Sequence, residues 1–400
     1  GGLAGLLAHR GITVFRANAA FHADETAPAT SNHIVHLVPS PDQSDILTYH
    51  KADVPEPSGP TMDLTATNIV IATGAKPRPL PGNPFAGALI DSTQALEVNE
   101  FPSSTVIIGA GAIALEFASM WNAAGSKVTL LIRKDRVLSA WDRRAGTTLT
   151  RELKRHGVNI ITRASVTHVD TGANLGATVH YTCEGQDGEQ SVWGEIALVA
   201  IGRDPITDPA WGVTIDDHGH VATDAYGRTD KPGVWAVGDV TAGHALAHRA
   251  FEQGIVIAET IAGLNPKPVD EATVPQIVFS FPEAASVGLT VEQAQAREDL
   301  IEIKETNYPM LANARMLMSG TAGSLTIVSG CDAANPDTPR VLGVHMVSQM
   351  ASDIIAEAEQ LVGNHVPLAD AARLVHPHPT FSETLGEALL KADGRPLHTR

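Results

Sequence analysis

Two ionisable side chains five positions apart, His378 and Glu383, lie in the run Val375-His376-Pro377-His378-Pro379-Thr380-Phe381-Ser382-Glu383 near the C-terminus. An imidazole with an ordinary pKa of about 6.5 can take up and release a proton near neutral pH. A carboxylate on its second nitrogen fixes the tautomer and stabilises the imidazolium. The pair therefore has the composition of an acid–base device. The same residues also have a plain structural reading. Pro379 suits a first helical position, and Thr380 with Glu383 has the spacing of a capping box opening a helix through Leu389-Leu390. On this segment alone both readings stand.

Gly109-Ala110-Gly111-Ala112-Ile113-Ala114 is a Gly-x-Gly-x-x-Ala pattern. It follows an apolar strand expected over 104–108 and opens a helix expected over 112–123, which is the context dinucleotide binding requires. Gly109 permits the tight turn, Gly111 lets the backbone approach a pyrophosphate, and Ala114 permits close helix–strand packing. The helix N-terminus supplies amide donors and positive potential. Roughly 20 residues further on, Arg133 and Lys134 follow the second strand. An acid there would bind the ribose 2′-hydroxyl of NAD, whereas this basic pair suits the 2′-phosphate of NADP. Asp135 counts against that assignment, and a solvated basic turn is the plain alternative.

Composition narrows the classes. A net charge of −17 disfavours nucleic acid and anionic membranes as partners. No apolar run approaches the length of a membrane span. The opening Gly-Gly-Leu-Ala-Gly-Leu-Leu lacks the basic start of a signal peptide. There is no initiator Met, so the chain reads as a fragment or processed product. Cys183 and Cys331 are the only cysteines and form no Cys-x-x-Cys or Cys-x₄-Cys pair. The sequence thus offers neither a redox dithiol nor a disulfide framework, which fits a reducing cytoplasm. Cys183 ends an expected strand, Cys331 falls in a turn-rich stretch, and both read as ordinary thiols. His244 and His248, at i and i+4, could face a metal from one helix, but no carboxylate or cysteine lies near them in sequence and no metal site is expected.

The elements that must position these residues read as α/β. Residues 34–38 alternate as a strand, 39–60 are rich in Pro, Asp and Ser, and 68–74 form a buried strand entering a tight turn. Pro77, Pro79, Pro81 and Pro84 mark a linker. After the 104–123 strand–helix pair come a strand at 127–132, a helix at 143–156 and a strand at 159–162. Paired strands at 178–182 and 191–193 follow, and 196–201 closes the unit at Gly202. Residues 233–239 form a strand ending in Gly-Asp, followed by a helix over 248–261. Strands at 276–280, 324–328 and 341–346 are antiparallel. The helix at 353–362 places Ile354, Ile355, Ala358, Leu361 and Val362 on one face. Ile71-Ala72-Thr73-Gly74 is faintly echoed by Ala200-Ile201-Gly202, as two related nucleotide-binding domains would be, one inserted in the other. Gly202 therefore joins the candidate cofactor residues.

In order and spacing the chain resembles the pyridine nucleotide–disulfide oxidoreductases, dihydrolipoamide dehydrogenases above all. The segment from His376 to Glu383 is similar to their His-x-His-Pro-Thr-x-x-Glu signature. Gly1 to Gly5 resembles an internal helix, and Asp91-Ser92-Thr93 with Ala95-Leu96 the lead-in to the NAD domain. Pro282-Glu283, Val287-Gly288 and Ala312-Asn313-Ala314-Arg315 resemble the dimerisation domain. The resemblance implies FAD beside Thr73 and Gly74, with Asp239 after Gly238 on the ribityl chain and Leu246-Ala247-His248 under the isoalloxazine. It places Glu116 near nicotinamide and flavin, although a first-turn acid favoured by the helix dipole is the plain reading.

The implied domains are 1–87, the remainder of an FAD domain; 88–205, an inserted Rossmann-like NAD(P) domain; 206–268, the central FAD part; and 269–400, an α+β dimerisation domain. The implied activity passes electrons between NADP or NAD, FAD, a Cys pair and a small disulfide such as lipoamide. In a homodimer, His378 of one subunit would act on the dithiol bound by the other, oriented by Glu383. Two departures stand out. About 100 residues that carry the family's first Gly-x-Gly-x-x-Gly unit and its Cys-x₄-Cys pair have no counterpart. Arg133 replaces the acid expected of an NAD-linked enzyme. The chain is therefore expected to be inactive on disulfides. A cysteine-free NADPH-dependent reductase of quinones or dyes, and a non-catalytic dinucleotide-binding fragment, are the alternatives.

Overall fold

Val106, Ile107 and Ile108 show why a strand forms ahead of the glycine turn. Val106 and Ile108 bury into one hydrophobic cluster and Ile107 into another. An apolar run of this kind suits a strand covered on both faces. Strand Ser104–Ile108 is central in a five-stranded sheet, and all four of its pairings are parallel. The order runs Asn159–Ile161, Lys127–Leu131, Ser104–Ile108, Ile196–Val199, Leu89–Ile90. Helices Ala112–Ala123 and Arg143–Arg155 supply Leu115, Trp121, Leu149 and Leu153 to one face. The other face is covered by an antiparallel sheet of Ala164–Asp170, Ala177–Cys183 and Gln190–Gly194. Burying one Leu or Ile fully, as at Ile107 or Leu130, contributes about 1.5–3 kcal/mol.

The computed structural model of the chain describes residues 2–22, 32–49, 55–57, 59–172 and 176–399. Gly1, Arg400 and part of the Pro- and Asp-rich stretch at 39–60 lie outside the described residues. The chain forms two units, 77–203 with 270–400, and 1–76 with 204–269.

In the first of these units the nucleotide sheet shares a core with the C-terminal portion, since Val278, Ala284 and Val347 join the cluster of Trp121 and Leu149. The C-terminal portion is a five-stranded antiparallel sheet in the order Gln276–Val278, Glu283–Gly288, Asn335–Ser348, Ser324–Asp332, Leu300–Pro309. Helix Ala351–Gly363 buries Ile354, Ile355, Ala358, Leu361 and Val362 against it, and helix Glu383–Ala392 adds Leu385 and Leu389. Cys331 departs from its expected place in a turn. It lies fully buried inside strand Ser324–Asp332, which is paired on both edges.

The other unit has a smaller core. Strands Ile69–Ile71 and Val234–Ala236 pair in parallel. Ile71, Val234 and Ala236 bury with Trp211, Val213, Val221 and Val240, and Phe21 stacks on Trp211 at 5.9 Å. Two three-stranded antiparallel sheets and helix Ala247–Ile261 complete it. The helix begins at Ala247, so His244 precedes it and does not share a helical face with His248.

Candidate active site

The nucleotide turn is built by the two central strands of the parallel sheet. Gly109 has φ +144°, and a Cβ there would collide with the Ala200 carbonyl at the end of the neighbouring strand. The same Cβ would stand 3.3 Å from that of Ala114, which is itself fully buried. Gly109 and Ala114 thus set the close approach of helix to sheet. Gly111 serves a different purpose. It caps helix Ala112–Ala123 without a side-chain hydrogen bond, and a Cβ on it would meet open space. First-turn amides of this helix therefore keep donors free of side-chain caps, with room in front. Gly202, with φ +133°, follows the strand on the other side of the switch in strand order. Its carbonyl accepts a bond from the Arg78 amide at 3.0 Å.

Arg133 and Lys134 follow strand Lys127–Leu131 and are exposed. Neither side chain forms an ion pair among the described residues. Asp135, whose position counted against a phosphate site, is held 3.2 Å from Arg136. Glu116 lies in the second turn of its helix, so the first-turn dipole reading of this residue does not apply. Its Oε1 accepts a bond from the Phe279 amide at 3.0 Å, and Ser119 Oγ one from the Phe281 amide at 2.7 Å. One face of the helix thereby holds the segment after strand Gln276–Val278.

In the smaller unit the parallel pair ends on one edge in both candidate flavin turns. Gly74 has φ +71° and Gly238 φ +76°. Thr73 Oγ1 donates to the Ile206 carbonyl at 2.6 Å, and the Gly74 carbonyl accepts from the Ile206 amide at 2.9 Å. The Gly238 amide is held by Gln253 Oε1 at 3.0 Å. The half-buried Asp239 carboxylate accepts no hydrogen bond from a described residue. Leu246, Ala247 and His248 form the N-terminus of helix Ala247–Ile261, which has no side-chain cap. Sequence reasoning missed Arg249. It is buried and ties this loop together through the Ala242 carbonyl at 2.6 Å, while Thr241 Oγ1 donates to Gly238 at 2.8 Å.

His378 and Glu383 meet. His378 Nδ1 is 2.7 Å from Glu383 Oε1, and the imidazole is 75 % exposed. Oε2 of the same carboxylate accepts the Thr380 amide at 2.7 Å. Burial opposes ionisation of Glu383, but the Thr380 amide, His378 and His376 outweigh it and hold the carboxyl below its usual range. The capping box forms only by half. Thr380 Oγ1 donates to the Pro377 carbonyl at 2.7 Å, and the helix starts at Glu383 behind Ser382, not at Pro379. Nε2 of His378 engages no described residue.

The supports of this loop were not foreseen. His376 bonds Glu357 Oε1 on helix Ala351–Gly363 at 2.9 Å, which raises the His376 pKa despite burial. Asn313 Nδ2 donates to the Thr380 carbonyl at 3.0 Å, and Arg315 lies 5.3 Å over the Phe381 ring. Asn313 and Arg315 lie in a segment that the sequence already singled out, so the signal existed without its purpose.

Comparison with known proteins gives this arrangement a family. The pattern described as pyridine nucleotide-disulphide oxidoreductase matches residues 8–254, and its dimerisation domain matches 274–389. The chain belongs to the pyridine nucleotide-disulphide oxidoreductases. It is 38 % identical over 341 residues to the dihydrolipoyl dehydrogenase of Cupriavidus necator, covering 84 % of this chain and 70 % of that one. A dihydrolipoyl dehydrogenase of Bacillus subtilis is 36 % identical, with the same coverage. Among solved structures, LpdA of Mycobacterium tuberculosis matches with a TM-score of 0.78 at 25 % identity, over 94 % of this chain and 76 % of that one. The HOCl-induced flavoprotein disulfide reductase RclA of Escherichia coli matches with a TM-score of 0.72 at 26 % identity, over 82 % and 74 %.

As a member of this family the chain is an FAD-dependent NAD(P)H:disulfide oxidoreductase. Its residues fit both cofactors. An uncapped helix N-terminus behind an open glycine suits a pyrophosphate, and an unpartnered carboxylate after Gly238 suits a sugar hydroxyl. The two cysteines do not fit a redox role. Both are buried, Cys183 in the cluster of Val106 and Val179 and Cys331 inside strand Ser324–Asp332, and burial pushes the Cys331 thiol pKa up. Among the described residues no helix is long and apolar enough to cross a membrane.

Proposed function

We propose that this chain binds NADPH in preference to NADH and, in a homodimer, carries the nucleotide, flavin and acid–base parts of a reaction on lipoamide or a similar small disulfide, whose thiol pair these 400 residues do not supply. FAD would be held by Thr73, Gly74, Gly238 and Asp239, with Leu246, Ala247 and His248 under its ring. The nicotinamide cofactor would be held by Gly109, Gly111, Ala114, Glu116, Arg133, Lys134 and Gly202. When bound, the flavin relays electrons between nicotinamide and a thiol pair. His378 supplies the proton chemistry at Nε2, and Glu383 fixes the tautomer by holding Nδ1. The observation that carries this reading is the 2.7 Å bond between His378 Nδ1 and Glu383 Oε1, on a ring otherwise open to solvent. Two buried, unpaired thiols suit a reducing cytoplasm.

No cysteine pair exists in these 400 residues, so the disulfide step needs thiols that they do not supply. A second reading, NADPH-dependent reduction of quinones or dyes, is favoured by an intact glycine turn in a chain whose cysteines are buried and unpaired. The test is reconstitution of the 400-residue chain with FAD, followed by assays with lipoamide and with a dye, using each nucleotide. Bound flavin without lipoamide turnover is expected. Lipoamide turnover would refute the thiol argument, dye reduction would establish the second reading, and a colourless protein would refute the flavin assignment.

A further inference from the structure

The antiparallel sheet over the nucleotide strands carries a side-chain cluster that the reaction does not use. His168 and His180 are directly opposed across strands Ala164–Asp170 and Ala177–Cys183, next to a register shift between Val166 and His168. Their rings stack at 4.1 Å with 8° between planes. Asp170, two residues along the strand from His168, points to the same face. Its Oδ2 lies 3.1 Å from His180 Nε2 and 3.9 Å from His168 Nε2. The three ligand atoms all lie within 4.8 Å of one another.

The far side of the rings is organised too. Glu189 Oε1 is 3.8 Å from His168 Nδ1, and its Oε2 is 3.6 Å from His180 Nδ1. Thr167 Oγ1 donates to Glu189 Oε1 at 2.7 Å. Each imidazole thus faces a carboxylate with each nitrogen. In metal-binding histidines one nitrogen ligates and the other donates its N–H to a carboxylate that fixes the tautomer, and Glu189, 3.6–3.8 Å away, stands beside both rings on the side that role requires. A tetrahedral shell with bonds of about 2.0–2.2 Å sets neighbouring ligand atoms about 3.3–3.6 Å apart. The two contacts to Asp170 bracket that spacing, and binding would turn the stacked rings toward each other until both Nε2 lone pairs meet one ion.

We propose that His168 Nε2, His180 Nε2 and Asp170 Oδ2 bind one divalent first-row transition-metal ion, with water completing the shell and Glu189 positioning both rings. Imidazole and carboxylate together suit zinc, nickel and copper. The net charge of −17 favours approach of a cation. Sequence spacing alone did not suggest the site, because His168 and His180 are brought together only by strand pairing.

The test is calorimetric titration of the chelator-stripped 400-residue chain with Zn(II), repeated on the double variant His168→Gln/His180→Gln. The wild type is expected to bind one equivalent more than the double variant, with micromolar affinity. Glu189→Gln, which keeps all three ligands, is expected to weaken that equivalent by about 10–100-fold. Cu(II) paramagnetic resonance should show coupling to two equivalent nitrogens that the double variant loses. Equal stoichiometry in wild type and double variant, or an unchanged nitrogen coupling, overturns the proposal. If the double variant fails to fold, Glu189→Gln decides alone, and unaltered Zn(II) affinity in it overturns the proposal.

Discussion

Replacing Glu383 by Ala separates the two tasks of the C-terminal loop. One carboxylate accepts both the Thr380 amide and His378 Nδ1, each at 2.7 Å. Losing the amide contact at a helix start costs about 0.5–2 kcal/mol. The histidine contact adds only about 0–1 kcal/mol, because the ring is mostly exposed. The variant should therefore lose about 2 kcal/mol, or roughly 4–8 °C in Tm for a domain of this size. His378→Ala removes only the smaller part and should lower Tm much less. The depressed pKa of Glu383 sets the pH dependence. Its contribution is present above the unfolded carboxyl pKa of about 4.3 and is lost as pH falls through the lower folded value. Wild-type and Glu383→Ala melting curves should therefore begin to converge as pH falls below the unfolded carboxyl pKa and meet only below the lower folded value. Calorimetric scans of both variants across pH supply the data, with nitrogen-15 spectra of the His378 ring reporting loss of its fixed tautomer. Equal Tm losses in the two variants would refute the reasoning, since the stabilisation would then pass through His378 and not through the Thr380 amide.

Arg133→Ala should weaken NADPH binding roughly tenfold or more and leave NADH nearly untouched, since a charge-assisted phosphate contact contributes about 1.5–3 kcal/mol; equal losses by titration calorimetry would refute the NADPH assignment. Gly109→Ala drives a Cβ into the Ala200 carbonyl at a φ of +144° and should cost roughly 2–4 kcal/mol by denaturant titration, together with nucleotide binding. His376→Gln should destabilise most in acid, because a raised histidine pKa contributes below about pH 6.5 and is lost as pH rises through the folded value; a loss of stability unchanged between pH 5 and pH 9 would count against the Glu357 pairing. Amides of Val70 and Trp235, on a two-stranded pair with a small core, should exchange with deuterium faster than those of Ile327 and Val344 in the five-stranded sheet.

The nucleotide unit was the most legible part of the chain. Strand Ser104–Ile108 and helix Ala112–Ala123 form over the residues expected, because there the hydrophobic period changes at a glycine turn. The helical face of Ile354, Ile355, Ala358, Leu361 and Val362 was equally plain. Strand Leu300–Pro309 was not read at all, and Asn335–Ser348 only over 341–346. The first carries Glu302, Lys304 and Glu305, and the second opens on Asn335-Pro336-Asp337-Thr338-Pro339, so neither alternates cleanly. Their length comes from pairing with Ser324–Asp332, which is a tertiary effect. Cys331 was misplaced for the same reason, since Ser329-Gly330-Cys331-Asp332 reads as a turn until two neighbouring strands claim it. In the candidate site, the spacing of His378 and Glu383 was visible, but the grip of Asn313, Arg315 and Glu357 was not. Those contacts span long stretches of chain and leave no local pattern.

The supports of His378 say what kind of device it belongs to. Glu383, Thr380, Asn313, Arg315 and the His376–Glu357 pair all come from the portion matching the dimerisation domain. The geometry of the acid–base pair is therefore complete without help from the flavin turns or the nucleotide sheet. A group fixed at Nδ1 and left open at Nε2 is arranged to meet something that arrives from outside its own fold. The chain's own thiols do not suit that role, since Cys183 and Cys331 are both buried and lie in different sheets. Under the proposed function, proton transfer at His378 Nε2 therefore depends on docking. Its rate should respond to whatever brings a thiol to Nε2, whereas the position of the ring should not. The tautomer of His378 should accordingly be the same in the isolated 400-residue chain as in a thiol-bearing assembly, and a ring that orders only on assembly would refute this account.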